Sequence, residues 1–259
     1  MKKKIAIANW KMNLNLKETK NLTVEILDGL EKIEFKNTEI VFCPSFLALK
    51  DVGEIIKKYT KRYKWPIYLG AQDVFWEEKG AYTGEVSPLT LREIGVNFVI
   101  LGHSERRIYL KEDDEMVHKK TRIALFHHLI PILCVGETLE EREDGRRDLI
   151  LIKQVSYGLE GIKLGKDDKF IVAYEPVWAI GSGQAVEPKE LEHAIFIIKQ
   201  RLVDLFGLDL VEKNFRLIYG GSVDSSNIKE FIDRKIDGFL IGAASLKAKE
   251  FIEIIKLLS

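Results

Sequence analysis

Residues 170–183 read FIVAYEPVWAIGSG. From Phe170 to Tyr174 the run is apolar without in–out alternation, the pattern of a strand covered on both faces. It stops at a carboxylate, Glu175. Then come Pro176, four apolar residues, and the glycines Gly181 and Gly183 around Ser182. The fold depends on how often such a strand recurs, and the chemistry on what stands at each strand's end.

Seven more runs share the pattern: KIAIANW, EIVFC, PIYLGAQ, NFVILG, IPILCV, FRLIYG and GFLIGA. Amphipathic segments lie between most of them. From Pro188 to Phe206, apolar residues fall at Leu191, Ala194, Ile195, Ile198, Leu202 and Leu205, which predicts a helix. Pro188 suits its first turn, and Glu187 and Glu190 suit its positive N-terminal end. A second helical stripe runs from Asp148 to Ile162. Eight strand–helix units without a low-complexity linker, in 259 residues, predict one α/β domain over residues 1–259, a (β/α)8 barrel. The competing architecture is a doubly wound open sheet, and against it no GxGxxG follows the first strand.

The chain carries 40 Lys+Arg and 40 Asp+Glu, so its zero net charge argues against a nucleic-acid binder. No stretch approaches the ~18 apolar residues of a membrane helix. The start, MKKKIAIANW, has too short an apolar run for a signal peptide. Cys43 and Cys134 form no CxxC, so a reduced, cytoplasmic setting is expected.

In a barrel, function gathers at the C-terminal strand ends. There the sequence places Asn9 and Lys11, the run Gly102-His103-Ser104-Glu105, then Glu175, Gly220-Gly221-Ser222 and Gly242-Ala243-Ala244-Ser245. A carboxylate after a strand is commonly a solvated loop residue or a cap. The apolar cover after Glu175 instead favours a general base, because burial disfavours its charged form. His103 is open to three readings: a core histidine, a cap for the next helix, or a member of an ion-pair network with Glu105 and the two following arginines. The other four histidines fall within helical patterns, and no HExxH or Cys/His cluster supports a metal site. Lys11 differs from the many solvated lysines by its place at the functional rim. The two glycine-containing turns are simple tight turns or an anion cradle of backbone N–H groups.

NWKMN, GAQDVFWEEKGAYTGE, ILGHSERR, CVGETLEERE, AYEPVWAIGSG, YGGSV and DGFLIGAASL together resemble the triosephosphate isomerase family, in order and along the whole chain. The resemblance implies reversible interconversion of dihydroxyacetone phosphate and D-glyceraldehyde 3-phosphate through an enediolate, without a cofactor or metal. It implies Glu175 as the base, His103 as the electrophile and Lys11 as the cation that holds substrate, with Asn9 in support. Main-chain donors to phosphate correspond to Gly181, in a closing lid, and to Ser222, Gly242 and Ala243. Glu105 and Ser104 correspond to supporting positions. Ala243 departs from the family's usual glycine, so its role requires a φ/ψ that tolerates a Cβ. The long segment from Gln72 to Glu85, with Phe75, Trp76 and Tyr82, corresponds to a loop that enters a neighbouring subunit, so a homodimer is expected. Two other readings compete: a different phosphosugar isomerase, and a catalytically dead barrel kept as a scaffold.

Overall fold

Every apolar run forms a strand. The structure is a computed structural model that describes residues 2–33, 35, 38–179, 186–232 and 234–259. The strands are β1 (Lys4–Asn9), β2 (Thr38–Cys43), β3 (Ile67–Ala71), β4 (Phe98–Leu101), β5 (Ile130–Val135), β6 (Phe170–Tyr174), β7 (Phe215–Tyr219) and β8 (Gly238–Ile241). They pair in parallel and in chain order, and β8 returns to β1 to close the barrel. Ala8, for example, pairs with Phe42 on one side and Ile241 on the other.

The missing alternation follows from this closure. Side chains at every second position point into the barrel, where Ile5, Ile7, Val41, Ile100, Ile132, Ile171, Ala173, Ile218 and Leu240 form an inner core. The intervening residues, such as Ala6, Phe42, Leu101, Leu133, Val172 and Tyr219, pack outward under the helices. Both faces are therefore apolar, as a closed parallel sheet requires.

The surrounding helices are α1 (Leu16–Leu30), α2 (Leu49–Tyr63), α3 (Pro88–Glu93), α4 (Ser104–Leu110), α5 (Asp114–Phe126), α6 (Leu139–Glu143), α7 (Arg147–Leu159), α8 (Pro188–Phe206), α9 (Leu208–Asn214) and α10 (Ala248–Leu258). The helix expected from Pro188 is α8, with Pro188 in its first turn and Leu191, Ala194, Ile195, Ile198 and Leu202 on its buried face. The stripe expected to reach Ile162 ends earlier, because Glu160 leaves the helical region and Gly161 takes φ +65°. Two of the histidines expected within helical patterns, His127 and His128, lie past a helix end. α5 stops at Phe126, His127 caps it, and His128 turns left-handed with φ +54°. Among the described residues, no helix is long and apolar enough to cross a membrane.

Candidate active site

The C-terminal ends of β1, β4, β6, β7 and β8 surround a cavity of about 560 Å3 lined by Asn9, Lys11, His103, Glu175, Ser222, Gly242 and Ala243. Residues that are far apart in sequence thus meet on one rim. Gly181 lies outside the described residues.

Glu175 follows β6 directly and is 1% exposed. Its main chain is clamped to the neighbouring strand. Glu175 N donates to Val135 O at 2.7 Å, and a Cβ on Gly136 would stand only 1.7 Å from Glu175 O. Gly136 is therefore obligatory for this close approach. Gly220 serves the other side, where a Cβ would stand 2.8 Å from Glu175 Cγ. The carboxylate accepts Ser104 N–H at Oε2, 3.1 Å. Its Oε1 lies 3.2 Å from His103 Nε2 but off the line of a hydrogen bond, so that oxygen has no hydrogen-bond partner among the described residues. Beneath it, burial and the Glu175 charge push the Cys134 thiol up, which holds that sulfur as an unreactive thiol.

His103 is the N-cap of α4, and its Nδ1 accepts Glu105 N–H at 3.2 Å. Of the three readings left open by the sequence, capping is realised, together with placement at the site. A ring nitrogen that accepts an N–H carries no proton, so this bond assigns the proton to Nε2, which faces Glu175. The cap thus sets which end of the ring donates into the cavity.

Lys11 adopts φ +52°, an uncommon conformation for a side-chain-bearing residue. Two contacts hold it there: Lys11 N donates to Asn9 Oδ1 at 3.1 Å, and Gln72 Nε2 donates to Lys11 O at 2.9 Å. Gln72 Nε2 also donates to Cys43 O at 2.9 Å, so one amide ties the ends of β1, β2 and β3 together. The Lys11 ammonium pairs with Glu105 Oε1 at 2.6 Å and passes over the β8 turn, where a Cβ on Gly242 would stand 3.8 Å from Nζ.

Ala243 begins a 3-10 turn (Ala243–Leu246) and is not among the residues with positive φ. Its Cβ is therefore tolerated, and its N–H remains where a glycine's would be. The main-chain N–H groups of Ser222, Gly242 and Ala243 have no hydrogen-bond partner among the described residues. Two short turns with free donors beside an ammonium make an anion cradle.

After Glu175, the chain is fixed by a buried acid that sequence reasoning did not single out. Glu137 Oε1 accepts Tyr174 OH at 3.1 Å and Trp178 Nε1 at 2.9 Å, and Glu137 O accepts Val177 N at 3.0 Å. Burial pushes the Glu137 carboxyl up against these hydrogen bonds, which favour the ionised form. Gly136, Glu137 and Gln72 all lie inside stretches that carry the family resemblance. Only their close contacts in three dimensions distinguish them there. In the segment 72–85, Phe75 is buried and its ring meets Trp76 and Tyr82 in tilted contacts, with centroids 4.1 and 4.7 Å apart, while Tyr82 stays exposed.

A (β/α)8 barrel with a carboxylate, an imidazole and an ammonium on one rim, beside an anion cradle, is the layout of a barrel enzyme acting on a small phosphorylated substrate. The family model described as triosephosphate isomerase matches residues 4–258. The chain is 43% identical over 256 residues to the triosephosphate isomerase of Clostridium tetani, covering 98% of this chain and 96% of that one. It is 42% identical over 257 residues to that of Dictyoglomus thermophilum, covering 99% and 100%. It is 43% identical over 256 residues to that of Caldanaerobacter subterraneus, covering 98% and 99%. The chain belongs to the triosephosphate isomerase family.

Proposed function

We propose that this protein interconverts dihydroxyacetone phosphate and D-glyceraldehyde 3-phosphate, as a single-domain barrel over residues 1–259 acting in cytoplasmic glycolysis and gluconeogenesis. The observation that carries this reading is the convergence of Glu175, His103 Nε2 and Lys11 Nζ beside the donors of the β7 and β8 turns.

The phosphate takes the N–H groups of Ser222, Gly242 and Ala243, with Gly181 as the further donor. That places the carbonyl oxygen between the Lys11 ammonium and the His103 Nε2–H. Both act where negative charge develops, which is where fixed dipoles and charges lower a barrier most. Glu175 removes a proton from the carbon beside the carbonyl and returns it to the neighbouring carbon, while His103 Nε2 gives its proton to the carbonyl oxygen and takes one back from the hydroxyl oxygen, so that the C=O and the O–H exchange places. The proton leaves and rejoins one molecule, so the stoichiometry needs no redox carrier. For this the Glu175 carboxylate turns from Ser104 N towards the substrate carbons, and the substrate oxygen takes over the His103 donor that now faces Glu175 Oε1. Glu105 holds Lys11, Asn9 holds the Lys11 main chain, and Ser104 holds the carboxylate at rest. Phosphate does not react, so its binding energy serves to place the reacting carbons. Two copies associate through residues 72–85.

A coupled assay of dihydroxyacetone phosphate formation from D-glyceraldehyde 3-phosphate tests the reading. Turnover is expected with no added cofactor. No turnover of this substrate, alongside turnover of another phosphosugar or of none, favours one of the two competing readings instead.

A further inference from the structure

The main chain of Glu175 rests against the Gly136 peptide, and one side chain holds that peptide. Gly136 follows β5 and is buried, so its N–H and C=O lie past the last strand residue and out of water. Both groups need partners there. Gln154 of α7 supplies them. Its Oε1 accepts Gly136 N–H at 2.7 Å, and its Nε2 donates to Gly136 O at 3.2 Å. A carboxamide carries the one acceptor and the one donor that this double contact requires, side by side.

A second glycine brings α7 within reach. Gly158 stands one turn after Gln154 and is buried with Leu151 and Val155. A Cβ on Gly158 would stand 3.0 Å from Leu133 Cδ2 of β5, so the helix lies close on the strand. Half-buried Gln154 extends from there to the strand end. Gly136 meets the base through its Cα. A Cβ on it would stand 1.7 Å from Glu175 O and 3.3 Å from Glu175 Cα. One residue earlier, Val135 O accepts Glu175 N–H at 2.7 Å. Apolar packing alone is non-directional and leaves a peptide free to tilt. Two directional bonds to one peptide also set its plane. Gln154 does not line the cavity, so its path to the chemistry runs through Gly136.

We propose that Gln154 is a positioning residue for the base: by pairing with both polar groups of Gly136 it fixes the plane of that peptide, and the peptide fixes the main chain from which the Glu175 side chain moves. This inference rests on the isomerase reading above.

The test compares wild type, Gln154→Leu and Gln154→Glu on D-glyceraldehyde 3-phosphate. Gln154→Leu keeps most of the bulk and removes both bonds. Its kcat is expected to fall about tenfold, because a slightly displaced base transfers protons more slowly. Its KM should stay within about twofold, because the phosphate donors stand on the β7 and β8 turns. Gln154→Glu adds a readout that a merely structural role would not move. At about pH 8 the introduced carboxylate can accept Gly136 N–H but has no proton for Gly136 O. Towards about pH 5 the neutral acid accepts and donates as glutamine does, and the carbonyl oxygen beside it favours that form. The kcat of the variant relative to wild type should therefore rise as pH falls. Glu137 and Glu175 titrate in both proteins, so the ratio removes their share. An unchanged kcat in Gln154→Leu, a loss carried by KM instead, or a Gln154→Glu ratio that stays level or falls overturns the proposal. A second readout needs no turnover. Hydrogen exchange at Glu175 N–H, followed by NMR, reports the bond to Val135 O. In Gln154→Leu it should run about tenfold faster, while Val172 and Ala173 within β6 keep their wild-type rates. If Gln154→Leu does not fold, the same amide is followed in Gln154→Glu at about pH 8. No acceleration at Glu175, or equal acceleration along β6, overturns the inference even with an active enzyme. A wild type inactive on the phosphorylated substrate overturns the isomerase reading, while the exchange still judges Gln154.

Discussion

Glu175 holds contacts that its proposed chemistry must exchange. Its Oε2 takes the Ser104 N–H, and its Oε1 faces a histidine nitrogen without a hydrogen bond. The carboxylate has to travel, whereas its main chain is pinned by Val135 O and by the close approach of Gly136. That contrast makes Glu175→Asp a sharp test. Shortening the side chain by one methylene withdraws the base, and the clamped strand end cannot advance to compensate. Turnover is expected to fall on the order of 10²-fold or more, because proton transfer is sensitive to misplacement on this scale. KM should change little, since the phosphate donors lie on the β7 and β8 turns. Steady-state kinetics decide it, and a loss of less than about tenfold would remove Glu175 as the base.

At the level of elements, a buried charge cluster joins the segment after β3 to α4 and α5. Lys120 Nζ donates to Asp73 Oδ1 and Oδ2 at 2.8 and 2.7 Å and also contacts Glu112. Arg106 reaches Asp73 Oδ2 at 2.8 Å and Glu112 Oε1 at 2.6 Å. Burial dominates at Asp73. It pushes the carboxyl from 3.8 up to about 6, with the Glu112 charge adding to the rise and the Lys120 and Arg106 charges opposing it. A carboxyl whose folded pKa is raised takes up a proton on folding between those two values. Its contribution therefore grows as pH falls through that window, opposite to the usual acid loss. Asp73→Asn cannot take up that proton. Thermal melts from about pH 7 to about pH 4 should show wild type gaining stability relative to Asp73→Asn as pH falls. A relative loss would show that the folded pKa is not raised. This cluster also marks how far the sequence was legible. The eight strands, the α8 helix and the rim positions of Asn9, Lys11, His103, Ser222, Gly242 and Ala243 could be read directly, because apolar runs and strand-end residues are local signals. The Asp73–Lys120–Glu112–Arg106 cluster could not be read, because its members look like ordinary surface charges until the fold buries them. Gly136 was equally silent, since only a neighbouring strand's carbonyl makes that glycine necessary.

At the scale of the whole molecule, several of the exposed apolar side chains follow β1 to β4. Met12 follows β1 and is 95% exposed, and Leu47 follows β2 and is 86% exposed. Tyr82 follows β3, and Ile108 and Tyr109 follow β4, all three exposed. These strands are consecutive neighbours in the barrel, so their loops share one sector of the rim. A patch of this kind beside a site is more often covered than left in water. The proposed second copy, associating through residues 72–85, would cover it. Such a partner would also brace the loops that carry Lys11, with its strained main chain, and His103. A stable pair of this kind would bury roughly 800 Å2 on each partner. Leu47→Glu tests this without touching a group at the site: a charge placed in a desolvated interface opposes association. Sedimentation should show a dimer for wild type and a concentration-dependent monomer–dimer mixture for Leu47→Glu. Specific activity of the variant should drop on dilution in step with its monomer fraction, because an unbraced Lys11 loop leaves the cation misplaced. A wild type that sediments as a fully active monomer would show that these loops hold the site without a partner, and the exposed sector would then need another explanation.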